Sequence, residues 1–144
     1  MVAKLLNAVN GALAKDDFGK LILRLTVGGL MLFHGLHKLI DGVGPIKGIL
    51  ASQGLPEFIA YGVLMGEVVA PCLVILGVLT RPAALVMAFT MVIAWLLVGT
   101  GKTFMLDKTG AWAIESLVYF FFAALAVAFS GAGRYSLAGN SSWR

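Results

Sequence analysis

The chain has 144 residues, of which 60% are hydrophobic and only 12% are charged, and its mean hydropathy is +0.95. Soluble domains carry about 25% charged residues, so this composition indicates an integral membrane protein with its helices in one domain. The formal net charge of +4 does not indicate a nucleic-acid partner, because the basic residues lie at the ends of apolar stretches, where lipid headgroups and membrane topology explain them.

The first seventeen residues are predicted to form a separate interfacial segment. Apolar side chains recur there at helical spacing, at Val2, Leu5, Leu6 and Val9. A helix with one apolar face lies along a membrane surface, and we expect this of residues 1–17. The N-terminus has no short apolar core followed by a small-residue cleavage site, so we expect no cleaved signal peptide.

Four apolar stretches then have the length of a membrane span, which takes roughly 17–25 residues. They cover residues 18–40, 58–79, 82–98 and 111–129. Each is predicted to be helical, because a backbone in lipid has to satisfy its own hydrogen bonds. The predicted fold is therefore all-α, with residues 18–144 forming an integral membrane four-helix bundle behind the amphipathic N-terminal segment.

The distribution of lysine and arginine predicts the orientation of this bundle. One side carries seven basic residues: Lys4, Lys15, Lys20, Arg24, Arg81, Arg134 and Arg144. The other side carries three in its loops: Lys47, Lys102 and Lys108. Because cytoplasmic loops are enriched in basic residues, we expect both termini in the cytoplasm. Arg24 and Arg81 are predicted to anchor the helices to anionic headgroups.

Ionisable residues inside the apolar stretches give the strongest indication of function. A charge at membrane depth costs a few kcal/mol on insertion scales, so such residues usually pair and mark a site. Successive spans run antiparallel, and the polar groups of the first, second and fourth spans can therefore face one pocket in the outer half of the membrane. Six residues are predicted to bind a ligand there: His34, His37, Lys38, Glu67, Glu115 and Tyr119.

That pocket has a simpler alternative. An ion pair of Lys38 with Glu67, or with Glu115, would hold two helices together without binding anything. The helix of Glu67 also contains Pro71, whose missing N–H leaves the Glu67 carbonyl free and kinks the helix. Gly62 and Gly66 precede it at the spacing that permits close helix packing.

Neither a metal nor an intrinsic cofactor is predicted. His34 and His37 are the only histidines and Cys72 is the only cysteine, and a spacing of three residues is a weak metal signature. No flavin, iron–sulfur or P-loop motif is present. His34 is better suited to hydrogen bonding with a quinone-like carbonyl or to a proton relay.

The whole pattern resembles the DoxX family of small bacterial inner-membrane proteins. The residues that carry the resemblance are Arg24, LFHGLHKL at 32–39, GLP at 54–56, Glu67, GVLTRP at 77–82, Glu115 and GAGRYSL at 131–137. The resemblance implies a multi-pass four-helix inner-membrane bundle associated with quinone-linked redox systems. It also implies partners, either oxidoreductase subunits or further copies of the chain, within the lipid bilayer.

Three functions remain open from the sequence. The first is a membrane subunit of a quinone-linked redox system, either non-catalytic or quinone-binding, with the predicted pocket as its ligand site. The second is a small proton-coupled transporter or permease, for which a mid-membrane acid in a kinked helix is typical. The third is an accessory structural subunit of a membrane complex, whose charges only hold helices together.

Overall fold

A computed structural model describes residues 1–139 and 141–143, so Arg144 of the predicted basic side lies outside the described residues. The described chain is all-helical and contains no β-strand. Its six helices are α1 (Val2–Leu13), α2 (Asp16–Asp41), α3 (Gly44–Ser52), α4 (Ile59–Leu76), α5 (Thr80–Lys102) and α6 (Glu115–Ser130).

Three of these helices are long and apolar enough to cross a membrane. They are α2 with 26 residues, α4 with 18 and α5 with 23, and they coincide with the first three predicted spans. Helix α6 is apolar but has only 16 residues, because it begins at Glu115 rather than at position 111 as predicted. The all-α prediction is therefore confirmed, and the protein is a membrane protein with three candidate spans.

The short helices flank these spans. Helix α1 has no buried residue, and its apolar side chains point outward. Its position at a membrane surface stays a prediction. Helix α3 lies between the first two spans, with Pro45 in its first turn. Proline fits that position because the N–H it lacks would have no intrahelical partner.

Two of the long helices contain a wider π-helical turn. In α4 the turn covers Met65–Val69, and the N–H of Ala70 donates to the carbonyl of Met65, five residues back. It lies immediately before Pro71, where the sequence predicts a kink. In α5 a second such turn covers Trp95–Gly99. Turns of this kind interrupt regular helices and are frequent at functional sites.

The core lies where α2, α4, α5 and α6 meet, and each of these helices packs against two of the others. Methionine and alanine side chains of α5 fill much of its centre. Close approach depends on two glycines. A Cβ at Gly35 would overlap with the Glu67 carbonyl oxygen, and one at Gly66 would overlap with the Thr90 hydroxyl.

The sequence predictions for the glycines and for the free carbonyl are therefore partly wrong. No atom outside the local backbone of α4 lies within 4 Å of the position that a Cβ would take at Gly62, so only Gly66 of the predicted pair brings helices together. The Glu67 carbonyl is covered by Gly35 of α2 rather than available to a ligand.

Candidate functional site

An ion pair between Lys38 and Glu67 forms the centre of the candidate site. The Lys38 ammonium lies 2.5 Å from one carboxylate oxygen of Glu67 and 2.6 Å from the other. The Glu67 side chain is 4% exposed and that of Lys38 is 31% exposed. Lys38 comes from the last turn of α2 and Glu67 from the π-helical turn of α4. The structure thus brings together two groups that the sequence places on different spans.

The pair borders a cavity of about 200 Å³. Apolar side chains of three helices provide most of its wall, among them Met31, Met91, Val98 and Phe120. His34 and Ser116 also border the cavity and are exposed, so the cavity opens between α2 and α6. The His34 ring contacts the Phe120 ring edge-on, with 5.7 Å between centroids.

Both helical irregularities meet at this cavity. The π-helical turn of α4 carries Glu67, and that of α5 carries Val98. One extra residue in a turn rotates the side chains that follow, so each irregularity changes which residues face the cavity. A regular helix over either segment would present a different set of groups.

The chemistry of this arrangement follows from its burial. Removing two charges from water is costly, and their mutual attraction compensates only when the geometry is good. One ammonium contacts both oxygens of the Glu67 carboxylate, so the pair is close to neutral as a unit. An ammonium has three N–H donors, so Lys38 has the capacity to donate to a further acceptor in the cavity. The carboxylate can accept a proton, and His34 at the opening can exchange one with the surroundings.

His37 does not belong to this site, and the prediction that it faces the pocket is wrong. Its Nδ1 lies 2.6 Å from a carboxylate oxygen of Asp41, and the side chains are 77% and 57% exposed. Residues four apart lie on one helix face. On α2 the face of His37 and Asp41 is rotated by about 100° from that of Lys38, so His37 does not line the cavity.

Glu115 and Tyr119 are also separated from the ion pair. Both line a neighbouring surface depression of about 420 Å³, which shares only Ser116 and Phe120 with the cavity. Glu115 and Tyr119 lie four residues apart on one face of α6, which is rotated by about 100° from the face of Ser116 and Phe120. The single pocket with all six predicted residues is therefore corrected to one with His34, Lys38 and Glu67.

Arg24 is buried inside the protein and does not reach lipid headgroups, contrary to the prediction. It is 1% exposed, and its guanidinium donates to the carbonyls of Val74 and Ile75 at 3.4 and 3.1 Å and to that of Tyr135. The last carbonyls of a helix lack intrahelical partners and carry partial negative charge, so a cation is stabilised there. Arg24 thus caps α4 and holds the C-terminal segment.

Arg81 makes a related contact on the surface. Its guanidinium donates to the carbonyls of Ala128 and Phe129 at the end of α6, at 2.9 and 3.1 Å. Its side chain is exposed, so contact with headgroups stays a prediction for this residue.

The apolar wall and Ser116 were not predicted from the sequence. A signal was present in the spacing, since Met91, Ala94 and Val98 recur at three and four residues on α5, and Ser116 and Phe120 lie four apart on α6. Within the described residues, no three side chains of the types His, Cys, Asp and Glu lie close enough to hold a metal ion.

These features define a small helical membrane protein with a buried ion pair beside a cavity. The sequence profile of the DoxX family matches residues 19–100, more than half of the chain, and the chain belongs to that family.

Two relatives extend the comparison. A Bacillus subtilis protein named "Putative oxidoreductase CatD" is 34% identical over 89 residues, which are 62% of this chain and 66% of that protein, just under two thirds of its length. An uncharacterized Haemophilus influenzae protein is 30% identical over 120 residues, 80% of this chain and 84% of that protein. No solved structure gives a significant match.

Proposed function

We propose that this protein is a membrane subunit of a quinone-linked redox system and that it binds a small ligand in the Lys38–Glu67 cavity. Membership of the DoxX family and the similarity to a protein named as an oxidoreductase support the redox association. The sequence contains no flavin, iron–sulfur or P-loop motif, so electrons would come from a partner oxidoreductase subunit.

The observation that carries the proposal is the position of the ion pair on a cavity wall. An ion pair that only joins two helices can be packed on all sides, whereas this one borders about 200 Å³ of open space. Ligand pockets measure about 300–1,000 Å³, so this cavity accommodates a small head group rather than a whole lipophilic molecule. Intramembrane ionisable residues of this kind usually mark a functional site.

Three residues have distinct roles in this proposal. Lys38 donates a hydrogen bond to a carbonyl oxygen of the ligand, and Glu67 holds the ammonium in place and exchanges a proton. His34 lies at the opening and connects the cavity with protons outside. A bound quinone would supply the two-electron, two-proton chemistry, for which carbonyl-directed donors are a suitable environment.

Mass spectrometry and an absorption spectrum of the gently purified protein test this function. We expect a co-purifying lipophilic ligand in the wild type and its loss in Glu67→Gln, which keeps the shape but removes the charge. Glu115→Gln is the matched control, because it removes a carboxylate from the neighbouring depression only. Wild-type protein that carries no ligand and binds no added quinone would contradict the proposal.

A purely structural role of the ion pair predicts a different result for a variant in which both charges are removed. If the ion pair only holds helices together, Lys38→Met with Glu67→Gln should restore both folding and the redox phenotype of the cells. If the pair forms a ligand site, the double variant should fold but fail to restore that phenotype. A proton-coupled transporter would instead show Glu67-dependent uptake in proteoliposomes.

We further propose that α6 is a fourth span and that both termini are cytoplasmic in the inner membrane of a bacterial cell. The packing of α6 against α2 and α5 and the bias of basic residues support this topology. Impermeant maleimide should label Lys4→Cys only from the cytoplasmic side and Lys102→Cys only from the opposite side, each in a Cys72→Ser background. The reverse pattern would exclude this orientation.

A further inference from the structure

A second, purely apolar groove adjoins the Lys38–Glu67 cavity. It has a volume of about 290 Å³ and lies between the C-terminal half of α5 and the beginning of α6. Val92 and Trp95 line it from α5, and Trp112 and Val118 line it from the α6 side. Met91 and Leu117 line both the groove and the cavity, so the two spaces are separated only by these side chains.

We propose that this groove binds the hydrocarbon chain of the same ligand whose head occupies the Lys38–Glu67 cavity. The inference rests on the proposed function and narrows it. The ligand is then a lipid-soluble molecule with a compact, oxygen-bearing head and an apolar chain, rather than a small water-soluble solute.

The groove is suited to hydrocarbon and to nothing polar. The indole N–H of Trp95 donates to the Thr103 hydroxyl at 3.0 Å, and that of Trp112 donates to the Thr103 carbonyl at 2.7 Å. Both donors are thereby satisfied within the protein, and none of the described residues exposes a polar atom to the groove. A hydrogen-bonding head would find no partner there, whereas a hydrocarbon chain would make van der Waals contacts along the groove.

The side chains that separate the groove from the cavity can repack around a ligand. Met91 has an unbranched, flexible side chain of the kind that fills irregular gaps and repacks readily. Leu117 directly follows Ser116, which borders the polar cavity. The π-helical turn of α5 contributes Trp95 to the groove and Val98 to the cavity. The combined volume of the groove and the cavity falls within the range of about 300–1,000 Å³ that is typical of ligand pockets. Neither space alone reaches that range.

Quinones that share one ring and differ in their chain provide the test. The probes are 2,3-dimethoxy-5-methyl-1,4-benzoquinone, which has no chain, and its decyl derivative. Trp143→Phe serves as the background, so that Trp95 and Trp112 report the decyl probe through fluorescence quenching. Binding of the chainless ring is measured by its competition with the decyl probe.

Filling the groove should then affect only the probe that carries the chain. We expect Val118→Phe or Val92→Phe to weaken binding of the decyl probe about tenfold, because the added ring occupies space that the chain needs and overpacking is unfavourable. Affinity for the chainless ring should stay unchanged. Ala126→Phe on the exposed side of α6 is the control for added bulk, and it should bind both probes like the wild type. Comparison between variants cancels the partitioning of the probe into detergent.

The variant Glu67→Gln distinguishes failure of this inference from failure of the proposed function. We expect it to weaken both probes. If Glu67→Gln weakens both and the groove variants change nothing, the groove assignment is wrong and the cavity assignment stands. If the groove variants weaken the decyl probe while Glu67→Gln has no effect, the groove holds an acyl chain unconnected with the cavity. Failure of both probes to bind the wild type would overturn both proposals.

Discussion

Arg24 is buried and Lys38 is partly buried, and the surroundings of these two cationic side chains differ. Lys38 contacts a carboxylate, and the pair borders open space between α2 and α6. Arg24 contacts backbone carbonyls at the end of α4 and in the C-terminal segment, and its surroundings are packed. A Cβ at Gly77, for example, would overlap with the Arg24 guanidinium.

The difference supports the proposal that the ligand site lies at Lys38 rather than at Arg24. The two terminal nitrogens of the Arg24 guanidinium donate to carbonyls at the end of α4 and in the C-terminal segment, so Arg24 joins these parts of the structure. Lys38 and Glu67 satisfy each other beside a cavity, and a ligand can compete for either group. Burial of an ionisable residue is thus insufficient to identify a ligand site. An adjacent cavity is also needed.

The largest effect should follow from removing the packed cation. Arg24→Met leaves the carbonyls of Ile75 and Tyr135 without this donor, whereas that of Val74 still accepts from the N–H of Gly77, and each buried acceptor left unsatisfied costs about 1–3 kcal/mol. We expect a loss of about 4 kcal/mol in the free energy of unfolding. Thermal unfolding in detergent measures it. Arg81→Met, which removes the exposed cation at the end of α6, should cost less than half as much. Equal losses for both variants would remove the distinction between the two arginines.

Breaking the ion pair should have the next largest effect. Lys38→Met leaves the Glu67 carboxylate buried without its cation, and broken buried pairs cost about 3–5 kcal/mol. Because Lys38 is partly exposed, we expect the lower end, about 3 kcal/mol. Lys38→Met with Glu67→Gln should recover most of that loss, and a double-mutant cycle of unfolding free energies measures the coupling. Additive losses would mean that the two groups do not stabilise each other.

A smaller effect should come from separating the helices that carry the pair. Gly35→Ala forces α2 away from the Glu67 carbonyl, and overpacking costs about 1–3 kcal/mol. We expect a loss of about 2 kcal/mol together with weaker quinone binding. Gly29→Ala is the matched control on the same helix, since no atom outside the local backbone of α2 lies within 4 Å of its new methyl group. It should be neutral or slightly stabilising, because alanine favours helix over glycine. Equal stability of the two variants would show that Gly35 does not set the helix spacing.

Most of the fold could be predicted from the sequence, because length and hydropathy determine where helices can cross a membrane. The three long helices match the predicted spans, and α6 differs only at its beginning. The π-helical turns could not be predicted, since tertiary packing selects them. The position of Gly35 against Glu67 likewise depends on which faces of α2 and α4 meet.

The candidate site was predictable only in part. Residue type and depth identified Lys38 and Glu67, and these two groups do meet. Depth in the membrane does not determine which way a side chain points around the helix axis. The sequence therefore predicts His37 and Glu115 in the pocket, although each lies on another helix face. The prediction that Arg24 anchors to headgroups is wrong because its partners are backbone carbonyls, which leave no pattern in the amino-acid sequence.

The smallest effect on stability should come from Asp107, whose carboxylate is exposed to water. Asp107 lies in the loop before α6, and its carboxylate accepts hydrogen bonds from the Thr109 hydroxyl at 2.6 Å and from the N–H groups of Thr109 and Ala111 at 2.7 and 3.0 Å. These bonds, the Thr109 hydroxyl first, hold the pKa of Asp107 below its ordinary value. A lowered pKa stabilises the folded loop above the ordinary pKa of about 3.9, and the stabilisation is lost as pH falls through the lower, folded-state value.

Trp112 reports on that loop, since its indole donates to the Thr103 carbonyl. With Trp112 as the remaining tryptophan, in a Trp95→Phe, Trp143→Phe background, its emission should change only below about pH 4, when Asp107 takes up a proton. Asp107→Asn should remove this acid transition, because the amide does not titrate, while the unfolding temperature at neutral pH changes little. If the transition persists in Asp107→Asn, another group controls the loop. If the unfolding temperature of Asp107→Asn at neutral pH falls as far as that of Arg24→Met, the exposed charge stabilises the fold as much as the buried one. Burial would then not determine how much a charged side chain contributes to stability.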